Sequence, residues 1–221
     1  MDAVHTIAFA VYPYVVITVF VLGHSYRYAT DRYGWGARSS EILDKQGLKV
    51  GITLFHWGIL LTLFGHAGGM LIPQSIYDSA GIDSRTHTQV AVSVGLVIGI
   101  AAFVGMFFLL KRRLYQNRVR AVTNLNHFVT LILLFIAISS GLYNVLLGHY
   151  DVLNSVAPWI RSIVILRPDP ALMTPVPFSY KLHVVSGLAI LGFSPFTRLV
   201  HIWSVPLTYL IRRFIVFRSY C

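Results

Sequence analysis

The chain has 221 residues, 56% of them hydrophobic and 12% charged, and its mean hydropathy of +0.68 excludes a surface that mostly faces water. Its formal net charge of +10 does not indicate nucleic acid, because the lysines and arginines flank apolar runs instead of forming a soluble basic face interleaved with aromatics. A single cysteine, Cys221, excludes an internal disulfide, a cysteine-ligated iron-sulfur cluster and a covalently attached haem within this chain.

A bilayer core about 30 Å thick is crossed by a helix of roughly 20 mostly apolar residues, and five segments reach that length. The first lies near 5–25. No basic n-region or small-residue cleavage site marks it as a removable signal peptide, so it is expected to remain as a helix. A basic stretch with Arg27, Arg32, Arg38, Lys45 and Lys49 leads to the second, near 51–72, which carries His56 and His66. A short segment with Arg85 and His87 precedes the third, near 89–110. After Lys111, Arg112, Arg113, Arg118 and Arg120 comes the fourth, near 125–147. The stretch from 148 to 180 holds five prolines and no motif with a readable function. The fifth span, near 182–204, contains His183, Pro195, Arg198 and His201. Without internal repeats or low-complexity linkers, residues 1–221 are expected to form one all-α membrane domain, a bundle of five transmembrane helices.

Basic residues between the spans set its orientation. With the N-terminus outside, the two inner loops, Arg198 and the tail residues Arg212, Arg213 and Arg218 hold 14 of the 18 lysines and arginines. Only Arg85, Arg161, Arg167 and Lys181 then lie outside. The positive-inside rule gives an outer N-terminus and a cytoplasmic C-terminus.

A histidine inside a span needs a hydrogen-bond partner or a metal, because an unsatisfied polar group in hydrocarbon costs several kcal/mol. In the topology above, His56 and His201 share the inner depth and His66 and His183 the outer depth. Two helices with two imidazoles each suit two bis-histidine haems, one per leaflet. An ideal helix places His183 and His201 on one face about 27 Å apart, whereas His56 and His66 are separated by roughly 15 Å and about 80°. Helix tilt and a kink at Pro195 are expected to absorb the mismatch. Gly58, Gly65, Gly68, Gly69 and Gly187 would let a flat macrocycle approach the backbone, or serve ordinary small-residue packing. Arg198 suits a haem propionate or simple snorkelling to the inner surface. His24 and His127, at inner ends of spans, read as structural. His5, His87 and His149 fall at outer boundaries or loops. Tyr12, Tyr14, Tyr26, Tyr28, Trp35, Trp57 and Trp203 read as interfacial belts.

Several stretches resemble one family along the whole length: Tyr12-Pro13-Tyr14, Ser39-Ser40 with Leu43-Asp44, Leu54-Phe55-His56, Gly65-His66, Gly69-Met70, Leu109-Leu110-Lys111-Arg112-Arg113-Leu114, and above all Arg198-Leu199-Val200-His201-Ile202-Trp203-Ser204-Val205-Pro206. The chain resembles the gamma subunit of membrane-bound respiratory nitrate reductase, a dihaem cytochrome b anchor. The resemblance implies axial ligation of two non-covalent b haems, the inner by His56 and His201 and the outer by His66 and His183. It implies quinol oxidation near the outer face, with electrons passing to an iron-sulfur beta subunit and a molybdenum alpha subunit that reduces nitrate. The chain would then be a multi-pass protein of the cell membrane. Where the family leads one to expect a lysine at the quinol site, this chain reads Asp83-Ser84-Arg85-Thr86-His87, so Arg85, with His87 second, stands in beside His66. A haem b quinone-interacting subunit of a sulfite-related or heterodisulfide-linked complex has a similar pattern, and a proton-coupled transporter would use intramembrane histidines without haem.

Overall fold

A computed structural model of the protein describes residues 2–31, 34–36, 46–148 and 150–203. His149, the Ser39-Ser40 and Leu43-Asp44 motifs, Ser204-Val205-Pro206, Cys221, and the basic residues Arg32, Arg38, Lys45, Arg212, Arg213 and Arg218 lie outside the described residues. Those described are helical or irregular, with no strand among them.

Helix α1 runs Ala3–Thr30 with a π-helical turn at Ile7–Val11, and α-helical register resumes at Tyr12. Pro13 sits at the start of the resumed register, where a missing N–H disturbs least. Helix α2, Gln46–His66, likewise passes into a π turn, Ala67–Leu71. A short α3, Gln74–Ser79, leads to α4, Ser84–Tyr115, whose cap Asp83 accepts from the Thr86 amide at 3.0 Å. The Thr86 hydroxyl and then its amide hold the Asp83 carboxyl below its ordinary range, so the cap stays charged at neutral pH. Helix α5, Asn117–Ala121, and α6, Leu125–Leu147, follow. Helix α6 opens on a capping box: the Asn124 side chain accepts from the His127 amide while His127 Nδ1 accepts from the Asn124 amide.

Among the described residues, four helices are long and apolar enough to cross a membrane: Ala3–Thr30, Leu48–Leu71, Ser84–Tyr115 and Leu125–Leu147. Their surfaces fit that medium, since Phe64 is 74% and Val97 70% exposed. The segment expected as a fifth helix near 182–204, kinked at Pro195, is broken more fully. Helix α8, Phe178–Phe193, is followed by two 3₁₀ turns, Ser194–Phe196 and Arg198–Ile202. Pro195 cannot donate to the helical ladder, and Thr197 is extended at φ −122°, ψ −176°. His183 and His201 therefore do not share one ideal helix, and the 27 Å spacing expected of them does not apply.

Helices α2 and α4 cross closely because small residues permit it. A Cβ on Gly58 would stand 2.6 Å from the Ala102 amide nitrogen, and one on Gly105 would collide with the Phe55 backbone. Phe55, Ala102, Met106, Leu134 and Ile138 fill the core beside this seam. Gly105→Val is expected to destabilise the bundle by about 1–3 kcal/mol through overpacking. Thermal unfolding in detergent reads this as a lowered Tm, and an unaltered Tm would refute the seam's role.

Between α6 and α8, helix α7, Val156–Val164, buries Val156, Ala157, Trp159 and Ile163. Trp159 Nε1 donates to the Phe9 carbonyl at 2.8 Å, and the Tyr14 hydroxyl donates to the Ile163 carbonyl at 3.1 Å. The helix ends as a Schellman motif: Arg167 N–H reaches the Ser162 carbonyl at 2.9 Å and Leu166 N–H the Ile163 carbonyl at 3.1 Å. Leu166 occupies the left-handed position, φ 60°, where glycine is the default and a side chain costs roughly 1–2 kcal/mol.

Candidate functional site

Four half-buried histidines stand as two facing pairs. His66 closes α2 and His183 lies in the first turns of α8, with ring centroids 5.8 Å apart and planes 36° from parallel. His56, ten residues earlier on α2, faces His201 of the last 3₁₀ turn at 5.9 Å and 61°.

All four rings are held in the same way. Nδ1 of His56 lies 2.9 Å from the Ile52 carbonyl, that of His66 2.7 Å from Thr62, that of His183 2.9 Å from Ala137, and that of His201 2.6 Å from Arg198. A carbonyl only accepts, so each Nδ1 carries the proton and each Nε2 presents its lone pair. That is how metal-ligating histidines are oriented: one ring nitrogen donates to a backbone oxygen and the other faces the ion.

Ring spacing suits a shared ion. Two metal–nitrogen bonds of about 2.0 Å each, extended by the ring radii, put imidazole centroids roughly 6 Å apart. Among the described residues no three His, Cys, Asp or Glu side chains converge on one point, which disfavours a tetrahedral site built by the protein alone. Two facing imidazoles are the set a porphyrin would complete. Gly65 and Gly187 border open space, with nothing within 4 Å of an added Cβ, so both flank room for a flat ligand. Gly58 instead serves the α2–α4 seam, and Gly68 and Gly69 face Tyr77 and His87.

Each pair depends on residues that spacing alone does not reveal. A Cβ on Gly141 of α6 would lie 2.8 Å from His183 Cε1 and 3.1 Å from Nδ1, so glycine is what lets this imidazole seat against α6. Ser140 Oγ also approaches His183 Nδ1, at 3.4 Å. At the other pair, the broken helix leaves free carbonyls, and Arg27 of α1 answers them: Nη1 donates to Pro195 O at 2.7 Å and Thr197 O at 3.0 Å. His24 adds a hydrogen bond to Ser194 Oγ at 3.2 Å, and Phe20 packs edge-on to Trp203 at 5.2 Å. Arg27→Ala would leave those carbonyls unpaired and let the His201 turn drift. Faster hydrogen exchange of the backbone amides of residues 198–203 is the expected readout, and unaltered exchange would show the clamp to be dispensable.

Other histidines are otherwise engaged. His24 uses both nitrogens, accepting from Trp35 Nε1 at 3.4 Å; His127 is spent on the α6 cap; His5 Nε2 sits 2.8 Å from the Pro170 carbonyl. His87 differs, because it is brought to the turn after His66. Its Cε1 is 3.5 Å from where a Gly69 Cβ would stand, and its ring lies 4.6 Å from Tyr77, whose hydroxyl holds the Gly68 carbonyl at 2.8 Å. His87 Nδ1 is buried without a hydrogen-bond partner among the described residues. Arg85 is exposed on the first turn of α4. At the opposite end of the bundle, Arg198 is grouped with Arg112 and Arg113 closely enough for mutual repulsion.

Known proteins match this sequence along nearly its whole length. A family profile described as nitrate reductase gamma subunit matches residues 5–220. The chain is 43% identical over 217 residues to the nitrate reductase gamma chain of Bacillus subtilis, covering 96% of this chain and 97% of that one. It is 35% identical over 224 residues to the respiratory nitrate reductase 1 gamma chain of Escherichia coli, covering 99% of each. A nitrate reductase-like protein of Mycobacterium tuberculosis is 36% identical over 224 residues, 99% of this chain and 34% of that protein. Because the match spans nearly the whole sequence and both complete gamma chains exceed 30% identity, the chain belongs to the nitrate reductase gamma subunit family.

Proposed function

We propose that the protein is the quinol-oxidising dihaem cytochrome b of a respiratory nitrate reductase, a single membrane domain whose broken fifth segment, α8 with its 3₁₀ turns, also crosses the bilayer. One observation carries the reading: two facing imidazole pairs, each ring with Nδ1 tied to a carbonyl, which leaves the Nε2 lone pair for a metal. His66 and His183 hold one b haem; His56 and His201 hold the other. Each haem, when bound, takes and gives one electron, which lets a two-electron quinol be oxidised in single steps.

The residues divide the remaining work. The carbonyls of Ile52, Thr62, Ala137 and Arg198 fix imidazole orientation and raise ligand basicity. Arg198, with Arg112 and Arg113 near it, offers charge-assisted partners for propionates at the His56 end. At the His66 end, His87 and Arg85 bind quinol, His87 offering Nε2 as hydrogen-bond partner or proton acceptor and Gly69 leaving space beside it. The lysines and arginines support an outer N-terminus and a cytoplasmic C-terminus in the cell membrane. Quinol protons then leave outside while electrons move inward to an iron-sulfur beta subunit and a molybdenum alpha subunit. Each charge so moved is worth about 2.3 kcal/mol per 100 mV.

A reduced-minus-oxidised spectrum of the purified chain should show b-type alpha bands at two haems per chain, and a flat spectrum from folded protein would end the proposal. Co-purification with a molybdenum protein that reduces nitrate tests the partner assignment. Within the quinol site, His87→Ala and Arg85→Ala should each raise the quinol KM by about 10–100-fold, one hydrogen bond to a charged group being worth roughly 1.5–3 kcal/mol, with haem content unchanged. Unaltered quinol kinetics in both would remove these residues from the site.

A further inference from the structure

Val164, Ile165 and Leu166 form an exposed apolar tip that sits in the wrong place for a water-facing loop. Val164, Ile165 and Leu166 are 64%, 65% and 75% exposed. The chain beside them is α1 well past the start of its apolar run: Tyr14 holds the Ile163 carbonyl, and Pro168 borders a shallow recess with Val11, Val15, Thr18 and Val19. Those α1 residues continue into a lipid-type surface, with Val11 49% and Val15 52% exposed. The chain reaches this level from Trp159 beside Phe9 and returns to Pro170 beside His5.

We infer that α7 and its C-terminal turn form a re-entrant hairpin whose Val164–Leu166 tip is buried among the acyl chains of the leaflet at the N-terminal end of α1. Irregular backbone is costly at that depth unless its polar groups find partners within the protein, and here every amide N–H from Ile165 to Asp169 has one. The amide of Ile165 donates to Arg161 O, that of Leu166 to Ile163 O and that of Arg167 to Ser162 O. Pro168 has no amide hydrogen, and the amide of Asp169 donates to Ser162 Oγ at 3.1 Å. Leucine in place of glycine at the left-handed position makes sense where the projecting side chain enters hydrocarbon. In water the same choice is strained with nothing in return. Arg167 can lay its stem along the apolar surface and lift its guanidinium to the headgroups.

Nitroxide labels attached through Leu166→Cys or Ile165→Cys, in a Cys221→Ser background, test this in the full chain reconstituted in phosphatidylcholine nanodiscs. Val15→Cys on exposed α1 and Ala80→Cys in the turn after α3 provide the lipid and water benchmarks. Power saturation should give oxygen collisions several-fold above those with a nickel chelate at 165 and 166, as at Val15. Nickel collisions dominating at both sites, as at Ala80, would overturn the hairpin. So would protection of both sites from either relaxer, which would mean that protein covers the tip.

Discussion

His66→Ala is expected to leave the chain with one haem instead of two and to lower quinol-dependent nitrate reduction more than 100-fold, while reduction from an artificial soluble donor persists. The magnitude follows from what is lost. Disturbing only an outer partner of a metal ligand typically costs about 10–100-fold in affinity or activity, and here the ligand itself goes. His66 faces His183 at 5.8 Å, so His183→Ala should give the same phenotype. His183 has Nδ1 on the Ala137 carbonyl of α6, so its removal also severs this hydrogen bond between α6 and α8 and should lower the Tm further. Redox-resolved magnetic resonance separates the two centres. Loss of the His56–His201 signal in either variant, with the other retained, would overturn the assignment. Loss of activity from the artificial donor would instead place these residues in complex assembly.

Much of this architecture is readable from residue order because lipid simplifies the problem. Four spans emerge from apolar length alone, and the observed ends differ from expectation by a few residues where polar caps such as Asp83 extend the helix past the hydrocarbon. Depth arithmetic brings His66 beside His183 and His56 beside His201, since a span fixes the height of each side chain once its direction is known. What orders the segment between His183 and His201 is less legible. Pro195 suggests a kink, but the outcome, two 3₁₀ turns, depends on Arg27 reaching across from α1 to carbonyls 168 and 170 positions away. No local pattern encodes such a contact. The 148–180 stretch is a different case. Its prolines obscure an apolar face at Val156, Trp159, Ile160 and Ile163, the i, i+3, i+4, i+7 spacing of an amphipathic helix, so the signal for α7 was present in a short window. Between Arg85 and His87, sequence favours the arginine as the basic substitute. The fold brings the histidine to Gly69 and leaves the arginine exposed.

Gly141→Val should remove the same haem as His66→Ala without altering a ligand. Nothing in the composition of α6 marks Gly141, but an added Cβ would meet the His183 ring at 2.8 Å from Cε1, inside van der Waals contact. Two relaxations are open to the protein. If α6 and α8 separate, the Ala137 carbonyl loses the His183 Nδ1 proton at 2.9 Å and a tight interhelical seam opens, at a cost of about 1–3 kcal/mol. If the helices hold, the imidazole swings away and Nε2 no longer faces His66. Gly141→Ala already carries the offending atom and should shift the spectrum and potential of this centre. Gly141→Val adds two methyl groups and should empty it, taking quinol-dependent turnover down with it. His56 lies ten residues back from His66 along α2, about 15 Å of rise, so the signal of the His56–His201 centre should remain in both variants. A Gly141→Val protein retaining both signals unshifted would show that the His183 ring does not need this seat. Parallel loss of both centres would indicate general unfolding of the bundle and remove Gly141 from any specific role at the His66 end.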